Sequence, residues 1–291
     1  MGRRFIFKNK KIMKISFIDF WTPMNMENNF ITELLKNSFE DVSVVSPSES
    51  EILFCGQFGK DHINHKPRLK IFNELETWRG PDFNEYDYAI GFDTNDHNGK
   101  YIRIPCWMWY TNWFQNKDSR EGFRIPIDYF FGDNPYKAIE KNKFSSFVFS
   151  NPIRDRISII NEFNKYKPID VFGALGAPLT EGVGQKLDCI SQYKFNFCYE
   201  NTIRPGSFTE KIIHAKIAGC IPVYKSDPSF EMDFNKKCCL QVVGLTDSQI
   251  LEKVIELDND PNLFNNIQSE PLFIQKPDLN PIVDKLKSIL K

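Results

Sequence analysis

Short apolar runs bounded by turn-forming polar residues alternate along the chain with stretches whose apolar residues recur at helical spacing. Residues 13–20, 42–45, 51–56 (EILFCG) and 70–72 read as buried strands, and so do 144–150, 169–173, 194–199, 221–224 and 239–243. Helical spacing predicts helices over 28–37, 154–166, 185–189, 209–218, 248–258 and 281–291, with Gly219 as a stop after the fourth. Residues 121–142 read as loop and helix and form a connector, whereas 173–184, rich in Gly, Ala and Pro, read as a loop. Strands alternating with helices imply open parallel sheets, hence an α/β protein. The expected organisation is a basic leader at 1–13, a first domain at 14–142, a second at 143–275 and a terminal helix at 276–291.

The stretch 191–228 packs strand, loop, helix and second strand into one βαβ-like run. Ile212, Ile213, Ala215, Ile217 and Ala218 form the apolar side of its helix. The start of that helix presents unpaired N–H groups and a positive dipole end, which favour an anion such as a phosphate. Ser207 or Thr209 is placed to cap it, Lys211 and Arg204 add positive charge, and Glu210 is placed to accept ribose hydroxyls. A capped, solvated helix start accounts for the same residues, so spacing alone leaves both readings open.

Composition narrows the class. The chain has 291 residues, 41% of them hydrophobic, with 27 Phe and 5 Trp, enough apolar surface for two cores and incompatible with a disordered chain. Its 37 basic and 38 acidic residues leave a net charge of −1, so no global field points to nucleic acid, and anion recognition must be local. Seven cysteines lack metal-site spacing and lie mostly in apolar runs, Cys238-Cys239 included, which indicates reduced thiols. No run approaches a membrane span and no signal-peptide core is present, so a cytoplasmic protein is expected. The leader MGRRFIFKNKKIM is expected to make at most weak peripheral contact with an acidic inner-membrane surface.

Four further places carry chemistry. Glu74 and Glu76 follow the strand at 70–72, where the carboxyl ends of parallel strands gather ligands. Asp93 and Asp96 form a carboxylate pair without the surrounding pattern of a metal site. The aromatic stretch 101–114 offers Trp107, Trp109 and Trp113, with Tyr110, either as a sugar-stacking acceptor region or as a packing layer. Arg154 and Arg156 begin a helix and are placed to fork onto a phosphate.

The residues Glu200-Asn201-Thr202, followed by SFTEKIIHAKIAGCIPVY from Ser207, resemble the donor-binding signature of the bacterial-type α-1,3/1,4-fucosyltransferases. That resemblance implies a GT-B fold, two Rossmann-like domains with open parallel sheets facing a central cleft. It implies inverting transfer of L-fucose from GDP-fucose to a glycan hydroxyl, in α-1,3-type linkage, with no obligatory cofactor or metal and at most a stimulatory divalent cation. By the same resemblance the donor is held by Arg156, Glu200, Asn201, Arg204, Phe208, Thr209, Glu210 and Lys211. Residues 81–93 (PDFNEYDYAIGFD) are similar to the segment that follows the family's catalytic glutamate, which aligns Glu76 with the base and keeps Glu74 in reserve. Here Leu75-Glu76-Thr77 replaces the family's usual Gly-Glu-Asn, and Lys225-Ser226 replaces an aromatic-glycine pair. These departures leave a different nucleotide sugar, or a non-catalytic nucleotide or sugar binder, as alternatives. The implied acceptor is a glycan of lipopolysaccharide or of a glycosylated protein, and the final helix is expected to pack at the domain junction.

Overall fold

In the computed structural model, which describes residues 12–21, 24–114, 124–132, 134–179 and 183–290, all the apolar runs read as strands pair in parallel. The basic leader lies outside the described residues up to residue 11. Chain contacts divide the protein into two compact units. The first comprises the described residues up to Gly91, Asn95–Ile104 and the chain from Leu279 onward; the second comprises Phe92–Thr94 and Pro105–Asp278. The described residues of 105–142, assigned to the first domain on sequence, thus group with the second unit.

The first unit is built on β1 (Met13–Ile18), β2 (Val42–Val44), β3 (Ile52–Cys55), β4 (Leu69–Glu74), β5 (Tyr88–Gly91) and β6 (Tyr101–Arg103), in the order β2-β1-β3-β4-β5-β6. Every residue of β3 is buried, as its unbroken apolar run requires of a strand covered on both faces. Helix α1 (Phe30–Ser38) starts at Asn29, whose side chain accepts the Thr32 N–H. At the end of β4, Glu74 pairs with Gly91, and a β-carbon at Gly91 would lie 2.3 Å from the Glu74 carbonyl oxygen and 2.5 Å from the Tyr101 hydroxyl. Only glycine allows this approach.

The second unit opens with α2 (Cys106–Trp109) and the two-stranded pair β7 (Thr111–Asn112) and β8 (Ile125–Pro126). Its main sheet contains β9 (Lys143–Phe149), β10 (Asp170–Gly173), β11 (Tyr193–Tyr199), β12 (Ile221–Lys225) and β13 (Leu240–Gln241), in the order β10-β9-β11-β12-β13. Helices α3 (Arg154–Phe163), α4 (Val183–Ile190), α5 (Glu210–Ile217), α6 (Asp247–Asn259) and α7 (Pro261–Ser269) accompany it. Phe147, Phe163, Phe195, Phe197 and Phe264 meet in the core with Ile159, Val223 and Val254. The high phenylalanine content is therefore spent largely on packing.

Two differences from the sequence reading have local causes. No α-helix forms among the described residues of 124–142: Pro126 precedes a 3-10 turn at Ile127–Phe130, and Pro135 follows a short way beyond. Helix α7 was not anticipated, although Asp260 caps it by accepting the Asn262 and Leu263 N–H groups and Pro261 sits at its first position. The terminal helix α8 (Asn280–Leu290) belongs to the first unit, where Arg68 donates to the Leu290 carbonyl at 2.9 Å.

Candidate active site

Strand β11 is buried along most of its length and delivers Glu200 to the start of α5. The Glu200 carboxylate is almost wholly buried, and four groups donate to it. Its Oε1 accepts the Thr209 N–H at 3.0 Å and the Tyr224 hydroxyl at 3.0 Å; its Oε2 accepts the Thr209 hydroxyl at 2.7 Å and Lys211 Nζ at 2.9 Å. Charge-assisted bonds to a carboxylate at a helix N-terminus gain from both the ammonium and the helix dipole. The anion that the sequence placed at this helix start is thus, in part, the protein's own. Thr209 is the N-cap residue, but its hydroxyl donates to Glu200 and makes no cap bond. The capping expected of Thr209 or Ser207 falls instead to the carboxylate.

Charges around this point hold one another ionised. Burial acts against the Lys211 ammonium, yet Glu200 and Glu210 outweigh it and raise its pKa above the usual lysine value. Glu210, the first residue of α5, is also opposed by burial, but the Lys211 and Lys186 ammonium groups bring its carboxyl down to about 2. His214, deeper in α5, is pushed well below its ordinary value by burial and then by Lys186, so its ring stays neutral. Neither ring nitrogen has a hydrogen-bond partner among the described residues.

Arg156 is buried on α3 and bound to the loop after β11. Its Nη1 donates to the Asn151 carbonyl at 2.8 Å, and its Nη2 donates to the Tyr199 carbonyl and to Asn201 Oδ1, each at 2.7 Å. The guanidinium lies over the Phe149 ring at 5.4 Å. Burial lowers its pKa while Glu200 raises it, and an arginine keeps its charge throughout. Its Nε–H has no acceptor among the described residues. Arg154 is exposed, so of the two arginines only Arg156 is built into the end of β11.

The remaining donor candidates separate. Asn201 is exposed and accepts from Arg156. Arg204 lies over the Phe92 ring at 5.2 Å, and the tight passage of Gly206, with φ of 78°, past the Phe92 carbonyl keeps that loop against it. Phe208 is fully buried and meets Phe234 edge-on, so it packs the core and offers no face to a ligand. Trp107 corrects the aromatic reading in the same way: it is buried among Phe234, Phe273 and Trp113, with its indole N–H on Asp233 at 3.0 Å. Trp113 donates its indole N–H to the Met108 carbonyl, and both it and Trp109 are half-buried.

In the first unit, Glu74 is buried and accepts the Tyr101 hydroxyl at 2.5 Å. Glu76 is exposed, and its backbone is fixed by Gln57. The Gln57 side chain accepts the N–H groups of Leu75 and Glu76 at 2.8 and 2.7 Å, and donates to the carbonyls of Glu76 and Arg79 at 2.8 and 2.6 Å. Sequence reasoning missed Gln57, although a polar residue two positions after an all-buried parallel strand is the available signal. Among the described residues no group of three His, Cys, Asp or Glu side chains is arranged to hold a metal ion.

Comparison with known proteins places these residues in context. The family described as "Alpha-(1,3)-fucosyltransferase FucT N-terminal domain" matches residues 15–110, and the family described as "Glycosyltransferase family 10 (fucosyltransferase) C-term" matches residues 138–266. The chain is 26% identical to an alpha-(1,3)-fucosyltransferase of Helicobacter pylori, over 98% of its own length and 67% of the relative's. A crystal structure of an alpha1,3-fucosyltransferase with GDP-fucose is similar at 25% identity, with a TM-score of 0.73 over 100% of this chain and 94% of that one. Anabaena HepE in complex with UDP and glucose shares the fold at 9% identity and a TM-score of 0.57, over 96% of this chain and 99% of that one.

Two outcomes follow from the charge network. Glu200→Ala leaves the Lys211 ammonium without its main partner and is expected to cost about 3–5 kcal/mol, read as a fall in melting temperature. Replacing Lys211 by Met in the same chain should recover part of that loss; a double variant no more stable than Glu200→Ala would contradict the pairing. For Glu210 the sign runs from a folded pKa below the ordinary 4.5, so its contribution is present above pH 4.5 and fades as pH falls towards about 2. The melting-temperature gap between wild type and Glu210→Gln should therefore be widest near neutrality and close in acid.

Proposed function

Given that the chain belongs to the glycosyltransferase family 10 fucosyltransferases, built on two open parallel sheets of the GT-B class, we propose that it transfers L-fucose from GDP-fucose to a glycan hydroxyl, with inversion and in α-1,3-type linkage. The observation that carries the assignment to a site is the Glu200 network, which holds Lys211 and the first turn of α5 rigid beside the Arg156-bound end of β11. Groups preorganised in this way stabilise charge as it develops on a leaving diphosphate without having to rearrange.

The reaction is a single displacement. The acceptor hydroxyl gives its proton to the Glu76 carboxylate while its oxygen bonds to the anomeric carbon, and the bond from that carbon to the diphosphate oxygen breaks on the opposite face. Arg156 and Lys211 take up the charge gathering on GDP, and Glu210 accepts the ribose hydroxyls. Glu200 acts as the positioning residue for Lys211, with Asn201 doing the same for Arg156. Glu74, whose carboxylate accepts the Tyr101 hydroxyl, is the less suitable base. The charge neutralisation assigned to these side chains requires no metal, and a divalent cation would be at most stimulatory.

The departure at Lys225-Ser226 has a packing explanation, which weakens the case for another donor sugar. Lys225 pairs with Asp155 at 2.7 Å, and buried Ser226 accepts from Gln241 through its carbonyl and hydroxyl at 3.3 and 3.2 Å. No helix among the described residues is long and apolar enough to cross a membrane. The acceptor in this reading is a glycan of lipopolysaccharide or of a glycosylated protein.

A panel of GDP- and UDP-sugars crossed with glycan acceptors, with products read by mass, tests this function. GDP-fucose should be consumed with a gain of one deoxyhexose on an acceptor; transfer from a UDP-sugar alone contradicts the donor assignment. Glu76→Gln should lower turnover by about 10²–10⁴-fold while leaving GDP affinity intact, and full turnover by that variant would remove Glu76 as the base.

A further inference from the structure

The first unit contains an open cavity of about 480 Å³, within the range of small-molecule sites, that none of the sequence-derived candidates lines. Its wall carries Phe58 and Trp78, which are 49% and 59% exposed. The Phe58 ring stands edge-on to Trp78 at 6.1 Å and to Trp21, itself 41% exposed, at 6.0 Å. Three contiguous aromatic rings left in water beside a cavity form a patch of the kind that marks a binding surface rather than scattered surface residues.

The frame beneath these rings is rigid. Gln57, through its four bonds to the 75–79 loop, fixes the backbone that carries Trp78, Arg79 and Glu76 together. A chain of hydrogen bonds runs behind and into the cavity wall: Asp19 to buried His62 at 2.6 Å, His62 to the Tyr86 hydroxyl at 2.9 Å, and Arg79 donating to that hydroxyl at 3.0 Å. Asp19 also accepts the N–H groups of Asp61 and His62. Arg79 is further steadied over the Phe72 ring at 5.3 Å. Its guanidinium, Lys60 and Glu85 give the cavity rim charges of both signs. Arg79 and Glu85 already neutralise each other as a pair at 3.6 Å, so the rim offers donors and acceptors side by side, which suits a hydroxyl-rich ring that both donates and accepts.

Resting on the fucosyl-transfer reading, we propose that this cavity is an acceptor subsite, in which Trp78 and Phe58 stack on the apolar face of a neutral pyranose and Arg79 and Glu85 hold its hydroxyls. The assignment replaces Trp107 as the sugar-stacking residue. It also gives Gln57 a positioning role, because one side chain sets both the platform and the backbone of the proposed base.

Saturation-transfer NMR with methyl β-D-galactopyranoside, methyl β-D-glucopyranoside and methyl N-acetyl-β-D-glucosaminide tests this directly, without any turnover. The wild type should transfer saturation to the ring protons of at least one glycoside. Trp78→Ala should weaken that binding by about tenfold, with Trp78→Phe restoring most of it and Trp109→Ala leaving it unaltered. Trp78→Ala should also keep the wild-type thermal shift with GDP, which shows that the variant is folded. Equal saturation transfer in wild type and Trp78→Ala, or none from any glycoside to the wild type, overturns the subsite. Absence of GDP-fucose consumption alongside normal glycoside binding counts against the transfer reaction instead.

Discussion

A carboxylate buried at the N-terminus of a helix organises the second unit. Glu200 follows directly on β11 with its charge inside the protein, which is costly unless every oxygen is paired. Thr209, Lys211 and Tyr224 meet that requirement, and the need to meet it fixes the loop between β11 and α5, the orientation of α5 and the place of the Lys211 ammonium. Arg156, bound to the last carbonyl of the same strand, extends the arrangement to α3. The positive groups assigned to the diphosphate are therefore held by the fold before any ligand arrives.

The first unit meets an equivalent demand with a neutral side chain. Gln57 has one oxygen and one nitrogen, and spends both on the backbone between Leu75 and Arg79. A loop beyond the end of a parallel strand has no ladder to complete, so its amides need partners from elsewhere. Using a single amide for four of them makes the loop a rigid extension of β3 and β4, and leaves the Glu76 side chain exposed.

Much of this was legible in the residues. Buried parallel strands announce themselves as unbroken apolar runs, and β3 and β11 were readable as such because both faces are covered. The helix start at Thr209 was readable as an anion site, but which anion fills it depends on Glu200, whose pairing with Tyr224 spans 24 positions. Trp107 shows the opposite limit: an aromatic run states that area will be buried, not which ring faces a ligand, and Phe208, carried over by resemblance, is likewise buried. The chain from Asp19 through His62 to Tyr86 stayed hidden because its first pair lies 43 positions apart and neither residue belongs to a local pattern. Proline explains why no α-helix forms among the described residues of 124–142, despite their mixed charge.

The central claim is that the paired Lys211 at the start of α5 belongs to a GDP-sugar site. Calorimetric titration of GDP-fucose into the wild type and into Lys211→Met, both held well below their melting temperatures, addresses it most directly. A saturable isotherm for the wild type with affinity reduced at least tenfold in the variant is the predicted result. Equal affinity in the two proteins, or no binding by the wild type, would contradict the account.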